Sequence, residues 1–208
     1  MRGFCSVVKQ GRRAIQNSDL FKILQSEINH EINTNWFQNH ETGSVGDFVL
    51  EWDSQHTQDV LLKKKCESGE EIAVSALLGE KIYYEEKGIQ DYQITREVLM
   101  KVCVKKPGLS SILQFDCEAS SRGAGKSDFD IQNAYYIQSP STLSSSTYRG
   151  PPFRELDPQL QDELKRYLEA RGIGETLTNF LVLHLQKKEQ NQYVNWLQKL
   201  KGMVEEKE

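Results

Sequence analysis

Three features that would quickly narrow the function of a protein are missing from this 208-residue sequence: a long apolar run, an excess of basic residues and closely spaced cysteines. The longest apolar stretches are strand-sized, whereas a membrane-spanning helix needs about 18 or more apolar residues. We therefore expect a soluble protein without a transmembrane segment. The 26 basic and 30 acidic residues give a net charge of -4, which does not indicate nucleic acid as the main partner and favours partners with basic patches.

The four cysteines, Cys5, Cys66, Cys103 and Cys117, are widely separated. None belongs to a C-x-x-C pair or lies beside a histidine cluster, so the sequence predicts no zinc site. Three of them lie inside strand-like runs, where a buried cysteine packs as a small apolar residue. We expect reduced thiols, a reducing compartment and no metal or other cofactor.

The N-terminal segment is basic, because four Lys and Arg residues precede the first acidic residue, Asp19. This charge pattern is typical of a mitochondrial presequence, although serine is sparse and the segment is short. We interpret residues 1–17 as a basic N-terminal arm or a short presequence. Residues 18–208 are predicted to form a single domain.

A four-residue apolar repeat predicts three helices. The first covers residues 19–33, the second follows Asp157-Pro158, and the third runs from about residue 175 to 204. Asp157 suits the N-cap position, and Pro158 suits the first helical position because its fixed backbone angle is already helical. Arg171-Gly172 is predicted to end the second helix.

The third helix is too long for a small sheet alone to cover. Its late apolar stripe, Tyr193-Trp196-Leu197-Leu200, is therefore expected to pack on the N-terminal helix or on another subunit.

A two-residue repeat between these helices predicts six or seven antiparallel strands, with a hairpin turn at residues 67–70. Residues 78–91 and 139–152 contain the signals of exposed loops, and the second is interpreted as a flexible linker inside the domain. The fold class is α+β: an N-terminal helix, a twisted antiparallel sheet and two C-terminal helices. The predicted strands lie at about residues 48–52, 60–66, 71–77, 92–105, 112–117 and 129–137.

Residues 123–127, Gly-Ala-Gly-Lys-Ser, resemble the end of a phosphate-binding loop. Ser120 stands where that motif requires glycine, and residues 128–131 have a strand pattern where a helix N-terminus is required. A hairpin loop between two strands explains the same residues. A nucleotide-using enzyme is the alternative.

The sequence also contains no motif that indicates histidine-based catalysis. Asp53, Ser54 and His56 could be imagined as a triad, but neighbours at a strand end point to alternating faces and no nucleophile elbow surrounds Ser54. A turn is predicted there. His184 lies on a leucine-rich helix and is interpreted as a packed or half-exposed side chain. We therefore predict no catalytic residue and no enzyme.

Two groups of charged residues are candidate binding surfaces. Lys63-Lys64-Lys65 and Lys105-Lys106, with Trp52 or Tyr83-Tyr84 for stacking, could contact single-stranded nucleic acid. Alternation places Lys63 and Lys65 on one face and Lys64 on the other, so these lysines form no continuous patch. An acidic edge of the sheet could attract a basic protein partner. Its residues would be Glu67, Glu70, Glu71, Glu80, Glu85, Glu86 and Asp91.

Two segments resemble the mitochondrial glycoprotein family over roughly residues 28–204. One is the hairpin of residues 61–74, and the other is the tail: Leu156-Asp157, Leu160, Leu164, residues 167–173, Tyr193, Trp196-Leu197 and Leu200. Residues 51–54, Glu-Trp-Asp-Ser, are similar to the plant members.

The resemblance implies a ring-shaped homotrimer in the mitochondrial matrix that is not an enzyme. It implies an adaptor or chaperone-like protein that supports respiration and organelle translation by binding other mitochondrial proteins, and RNA as a further partner. The chain departs from the family in its small net charge of -4 and in a shortened loop at residues 78–91. Calcium and complement binding are therefore not carried over, and no individual binding residue is assigned. A carrier that holds a small apolar ligand between the sheet and the long helix is the alternative.

Overall fold

The computed structural model describes residues 19–34, 45–84, 92–123, 126–139 and 147–205. The chain divides into two compact units, residues 41–186 and a second unit made of residues 1–40 and 187–208. The last helix contributes to both, so the single domain over residues 18–208 stays a prediction. The N-terminal arm of residues 1–17 lies outside the described residues.

An N-terminal helix, six antiparallel strands and two C-terminal helices follow one another, as predicted, with a 3-10 turn at Phe153–Glu155 before the last two helices. The elements are α1 (19–33), β1 (Val49–Asp53), β2 (Val60–Lys65), β3 (Glu71–Tyr84), β4 (Tyr92–Lys105), β5 (Ile112–Gly123), β6 (Lys126–Ile137), α2 (Pro158–Glu169) and α3 (Glu175–Val204).

The strands form one sheet in the order in which they occur along the chain. The predicted turn between β2 and β3 is present: Gly69 has φ of 81°, and its N–H donates to the Cys66 carbonyl at 2.9 Å. Glycine tolerates this left-handed backbone because it has no Cβ. The predicted loop at residues 78–91 is wrong in its first part, because β3 continues to Tyr84 in register with β4.

Gly79 explains this difference. It lies inside β3, and a Cβ at this position would be 2.6 Å from Leu99 Cδ1 on the neighbouring strand. The glycine therefore allows a close approach within the sheet, where the sequence suggested a loop. Residues 85–91 lie outside the described residues.

One face of the sheet packs against α2 and the first part of α3. We call this the helix-facing side and the opposite face the open face. The helix-facing side carries every second strand residue, as the period of two requires. Side chains from both layers are fully or almost fully buried, among them Val60, Leu62, Ile72, Val74, Val98, Phe115, Phe129, Leu168, Ile173, Leu177, Leu181 and Leu185.

The second unit contains α1 and residues 187–204 of α3, which we call the two-helix unit. Leu24 and Ile28 of α1 pack against Leu197. Glu31 accepts a hydrogen bond from Gln190. Gln25 accepts one from Lys201 at 2.6 Å, so the two segments run antiparallel.

The three cysteines among the described residues, Cys66, Cys103 and Cys117, are free thiols. Cys117 is buried in the core. Burial, with a further contribution from the carboxylates of Asp116 and Asp130, raises the pKa of Cys117 to about 12.

This shift predicts a pH-dependent stability. An unfolded chain loses the Cys117 proton above its ordinary pKa of 9.0, whereas the folded protein keeps it up to a pH of about 12. The contribution of this thiol to the free energy of unfolding is therefore fully present below pH 9 and is lost as the pH rises towards 12. Between pH 7 and pH 10 the free energy of unfolding of the native sequence should fall about 1.4 kcal/mol further than that of Cys117→Ala. Urea denaturation of both proteins at the two pH values measures this. Equal losses would contradict the assignment.

Candidate interaction surfaces

Ser127, the last residue of the apparent phosphate-binding loop, belongs to the buried core instead. Lys126 begins strand β6, and Ser127 is only 6% exposed. Its Oγ lies 2.6 Å from Thr178 Oγ1 and 2.7 Å from the side-chain oxygen of Asn179, both on α3. The serine therefore joins the sheet to the long helix, and the predicted strand pattern after it is confirmed.

The imagined triad is not assembled. The Asp53 carboxylate lies 2.8 Å from Nε2 of His184, and Ser54 Oγ accepts a hydrogen bond from the backbone N–H of His56 at 3.2 Å. His184 also stacks on Phe180 with ring centroids 5.0 Å apart. The predicted turn at residues 53–56 and the packed position of His184 are both confirmed. The aspartate and histidine tie the edge strand β1 to α3.

The two segments that carry the family resemblance meet in the structure. Glu70, in the β2–β3 turn, forms an ion pair at 3.1 Å with Arg171, which follows α2. The two side chains are 13% and 18% exposed. The Arg171 guanidinium also lies 3.4 Å from the ring centroid of Tyr167, and the Arg171 carbonyl accepts a hydrogen bond from Lys64. We call this group of residues the hairpin–tail junction.

The junction explains why the charged groups of Lys64 and Glu70 are not part of the exposed charged clusters predicted from the sequence. Lys64 points to the helix-facing side, where its ammonium pairs with Asp47 at 2.9 Å and lies over the Phe48 ring. The alternation of strand residues correctly predicted that Lys64 is on the face opposite to Lys63 and Lys65, but the predicted acidic edge also included Glu70. Glu70 is largely buried by Arg171, and no local sequence signal indicates this contact.

Gly172 closes the junction and is expected to resist substitution. Its φ is 90°, and a Cβ there would lie 3.3 Å from Lys64 Nζ and 3.4 Å from the Phe48 ring. Gly172→Ala should therefore lower the free energy of unfolding by about 1–2 kcal/mol. Gly202→Ala, within α3 and with open space around it, should raise it by about 0.5–1 kcal/mol because alanine favours helix. Thermal denaturation of both variants tests this difference in sign.

The open face brings together lysines from two predicted clusters. Lys65 on β2, Glu71 on β3 and Lys105 on β4 are neighbours in one row of the sheet. Lys63 is on the same face and forms an ion pair with Glu51 at 2.6 Å. We call Lys63, Lys65 and Lys105 the basic end of the open face. The sequence shows these lysines but not their proximity, which depends on the register of three strands.

Aromatic and acidic residues also occur on the open face. Trp52 pairs with Leu61 across β1 and β2 and is 51% exposed. Towards the other end, Glu118 accepts a hydrogen bond from Gln132, and Asp130 is exposed. The side chains of Tyr83 and Tyr84, the other predicted stacking residues, lie outside the described part of the chain.

The two-helix unit exposes an aromatic surface. Tyr193 and Trp196 stack with ring centroids 6.0 Å apart, and Trp196 is 52% exposed. Tyr193 donates a hydrogen bond to Glu27 of α1 at 3.2 Å. The sequence predicted that this stripe packs on the N-terminal helix or on another subunit. Leu197 and Leu200 pack on α1, whereas about half of the Trp196 side chain remains exposed.

Within residues 19–205, wherever the structure describes them, no helix is long and apolar enough to cross a membrane. The same described residues include no group of three or more His, Cys, Asp or Glu side chains placed to hold a metal ion.

The fold and these surfaces define an α+β protein with an antiparallel sheet covered on one face by helices, whose candidate sites are surfaces and shallow grooves. A profile of the mitochondrial glycoprotein family matches residues 24–204. The chain belongs to the mitochondrial glycoprotein family, which confirms the resemblance of the hairpin and tail.

Two relatives show how far this similarity extends. The chain is 37% identical to the mitochondrial acidic protein mam33 of Schizosaccharomyces pombe over 111 residues, which cover 49% of this chain and 39% of the yeast protein. It is 26% identical over 202 residues to an uncharacterized mitochondrial protein of Arabidopsis thaliana, covering 93% of this chain and 77% of the plant protein.

Solved structures share the fold. The Trypanosoma brucei p22 protein superposes with a TM-score of 0.69 at 21% identity, covering 92% of this chain and all of that protein. A Leishmania major protein described as a sequence homologue of human p32 gives a TM-score of 0.68 at 18% identity, covering 91% of this chain and 99% of its own.

Proposed function

We propose that this protein is a non-enzymatic adaptor or chaperone-like protein of the mitochondrial matrix that acts as a homotrimer. Family membership and the mitochondrial relatives support the location. The observation that carries the oligomer is the exposed Tyr193–Trp196 pair on the two-helix unit, because large apolar surfaces of this kind are typical of protein interfaces.

Its partners are other mitochondrial proteins with basic surfaces, which the net charge of -4 favours. RNA is a further partner: the basic end of the open face and Trp52 place positive charge and a stacking ring on the same side of the sheet. Through these contacts the protein supports respiration and organelle translation.

A carrier function finds little support in the layer between the sheet and the long helix, where the apolar ligand would have to lie. Side chains of the sheet and of α2 and α3, such as Phe115, Leu177 and Leu181, fill that layer and are fully buried. The adaptor function is therefore preferred.

If the protein is a homotrimer, its mass in solution is defined. Light scattering after size exclusion should give about three times 23.9 kDa for the native protein. Trp196→Glu places a charge in the proposed contact and should reduce the mass towards that of one chain. Gln198→Glu, exposed on the opposite side of the same helix turn, adds the same charge and should leave the mass unchanged. A native protein that elutes as a monomer contradicts the trimer.

The cellular role is tested separately. In cells that lack the protein, the native sequence should restore oxygen consumption and the synthesis of mitochondrially encoded proteins, whereas Trp196→Glu should restore less of both. Full restoration by a stable, monomeric Trp196→Glu would show that the adaptor role does not need the trimer. Normal respiration and translation in the absence of the protein would contradict the role itself.

A further inference from the structure

The open face has a groove at its basic end, and all of its lining residues belong to the unit of residues 41–186. Its volume is about 510 Å³, which is within the range of small-molecule sites. Its apolar floor is formed by Ala73, Cys103 and Ile112, from three strands, and Val49 lies beyond Lys63, the strand partner of both Val49 and Ala73. Ala73 and Cys103 are direct partners across β3 and β4. Because their side chains are small, they leave space above the sheet at this position.

Lysines surround this apolar floor. Lys63, Lys65 and Lys105 line the groove, together with the carboxylate of Glu71. Lys63 is partly neutralised by Glu51, at 2.6 Å. Lys65 and Lys105 form no ion pair with any residue that the structure describes. The groove therefore combines an apolar floor with two ammonium groups at its edge, and the Glu71 side chain lies between these two lysines as the strand partner of both.

We propose that this groove binds a fatty acid. Its aliphatic chain would lie along the floor of Ala73, Cys103 and Ile112, and its carboxylate would contact Lys65 and Lys105. An apolar floor favours removal of methylene groups from water, and the lysines supply positive charge for an anion. A nucleobase would find no aromatic ring among the groove residues to stack on, so the floor itself suits an alkyl chain, whereas the RNA contact proposed above uses Trp52, which is not a groove residue. The proposal does not depend on the adaptor function.

The test uses the full-length protein and 11-(dansylamino)undecanoic acid as a fluorescent reporter. We expect saturable binding and displacement by decanoate. Displacement by 1-decanol should be about five- to tenfold weaker, because the alcohol lacks the charge that the two lysines contact. Lengthening the competitor from octanoate to decanoate should strengthen displacement by about twofold or more per methylene while the chain still contacts the floor. Absence of saturable binding, or equal displacement by decanoate and 1-decanol, overturns the proposal.

Two variants distinguish the contribution of the lysines at the edge from that of the apolar floor, and a third is a control for the loss of charge. Lys65→Gln/Lys105→Gln should weaken decanoate about five- to tenfold and leave 1-decanol within about twofold. Lys106→Gln/Lys199→Gln removes the same charge outside the groove and should change neither. Ala73→Phe fills the floor from the open face and should weaken both compounds. Equal effects of the two charge variants would overturn the site.

A mapping experiment keeps the proposal testable if a variant fails to fold. A diazirine-labelled decanoate should label native peptides that contain residues 60–73 or 101–114, and excess decanoate should suppress the labelling. Labelling confined to the two-helix unit would overturn the assignment to the groove.

Discussion

Replacing Leu62 by alanine is expected to lower the free energy of unfolding by about 2–5 kcal/mol, because it removes a fully buried side chain and leaves a cavity in a packed core. Leu62 lies in the middle of β2, has 0% exposure and belongs to the helix-facing side. Its partners on the adjacent strands are Leu50 and Val74. Urea denaturation followed by circular dichroism measures the loss.

The neighbouring residue provides a matched control. Leu61 has the same side chain on the same strand but points to the open face and is only partly buried. Leu61→Ala should therefore cost about 1 kcal/mol or less. A one-residue shift in the register of β2 would exchange the faces of the two leucines. Equal losses for the two variants, or a larger loss for Leu61→Ala, would contradict the observed register.

The ion pair of the hairpin–tail junction should show strong coupling. Glu70→Gln or Arg171→Met alone is expected to cost about 1–3 kcal/mol, because each leaves the charge of the other partner largely buried without compensation. The double variant should cost less than the sum of the two, with a coupling energy of about 1–2 kcal/mol. Both side chains are less than one-fifth exposed, which is why we expect a larger coupling energy than for an ion pair on the surface.

Arg166 is the control for this cycle. It lies in the last turn of α2 and pairs with Glu163, and both side chains are about two-thirds exposed (68% and 66%). Arg166→Met should change the stability by about 0.5 kcal/mol or less. Additive losses for Glu70 and Arg171, at the level of this control, would show that the junction is not a stabilising contact.

The junction also clarifies the family resemblance. The hairpin and tail are the segments that made the resemblance visible in the sequence, and in the structure the Glu70–Arg171 ion pair joins them. Glu70 and Arg171 are 101 positions apart, and their contact fixes the β2–β3 turn against the end of α2. We infer that these residues preserve the fold.

Local patterns predicted most of the fold. The four-residue leucine repeat after Asp157-Pro158 indicated α2, and the Asp157 carboxylate accepts hydrogen bonds from the N–H groups of Gln159 and Leu160, as an N-cap does. Helix α3 was predicted at residues 175–204 and observed at Glu175–Val204. These predictions succeed because a helix is stabilised by contacts three or four residues apart, which the sequence displays directly.

The same local patterns misled at β3. Gly79 and the glutamates that follow it look like a loop when residues 78–91 are considered alone. The strand forms because β4 supplies hydrogen-bond partners along its whole length, from Glu71 opposite Lys105 to Tyr84 opposite Tyr92. Tertiary pairing therefore outweighs a weak local preference for strand.

For this protein, the sequence alone determined the order of the elements, the alternation that separates Lys64 from Lys63 and Lys65, and the family, because each of these is encoded in short-range periodicity or in short motifs. Only the tertiary structure decided that Lys65 and Lys105 share one groove, that Glu70 is buried against Arg171 and that Trp196 stays exposed while Leu197 is covered. These outcomes depend on strand register and helix packing, which bring distant residues together through the burial of apolar surface.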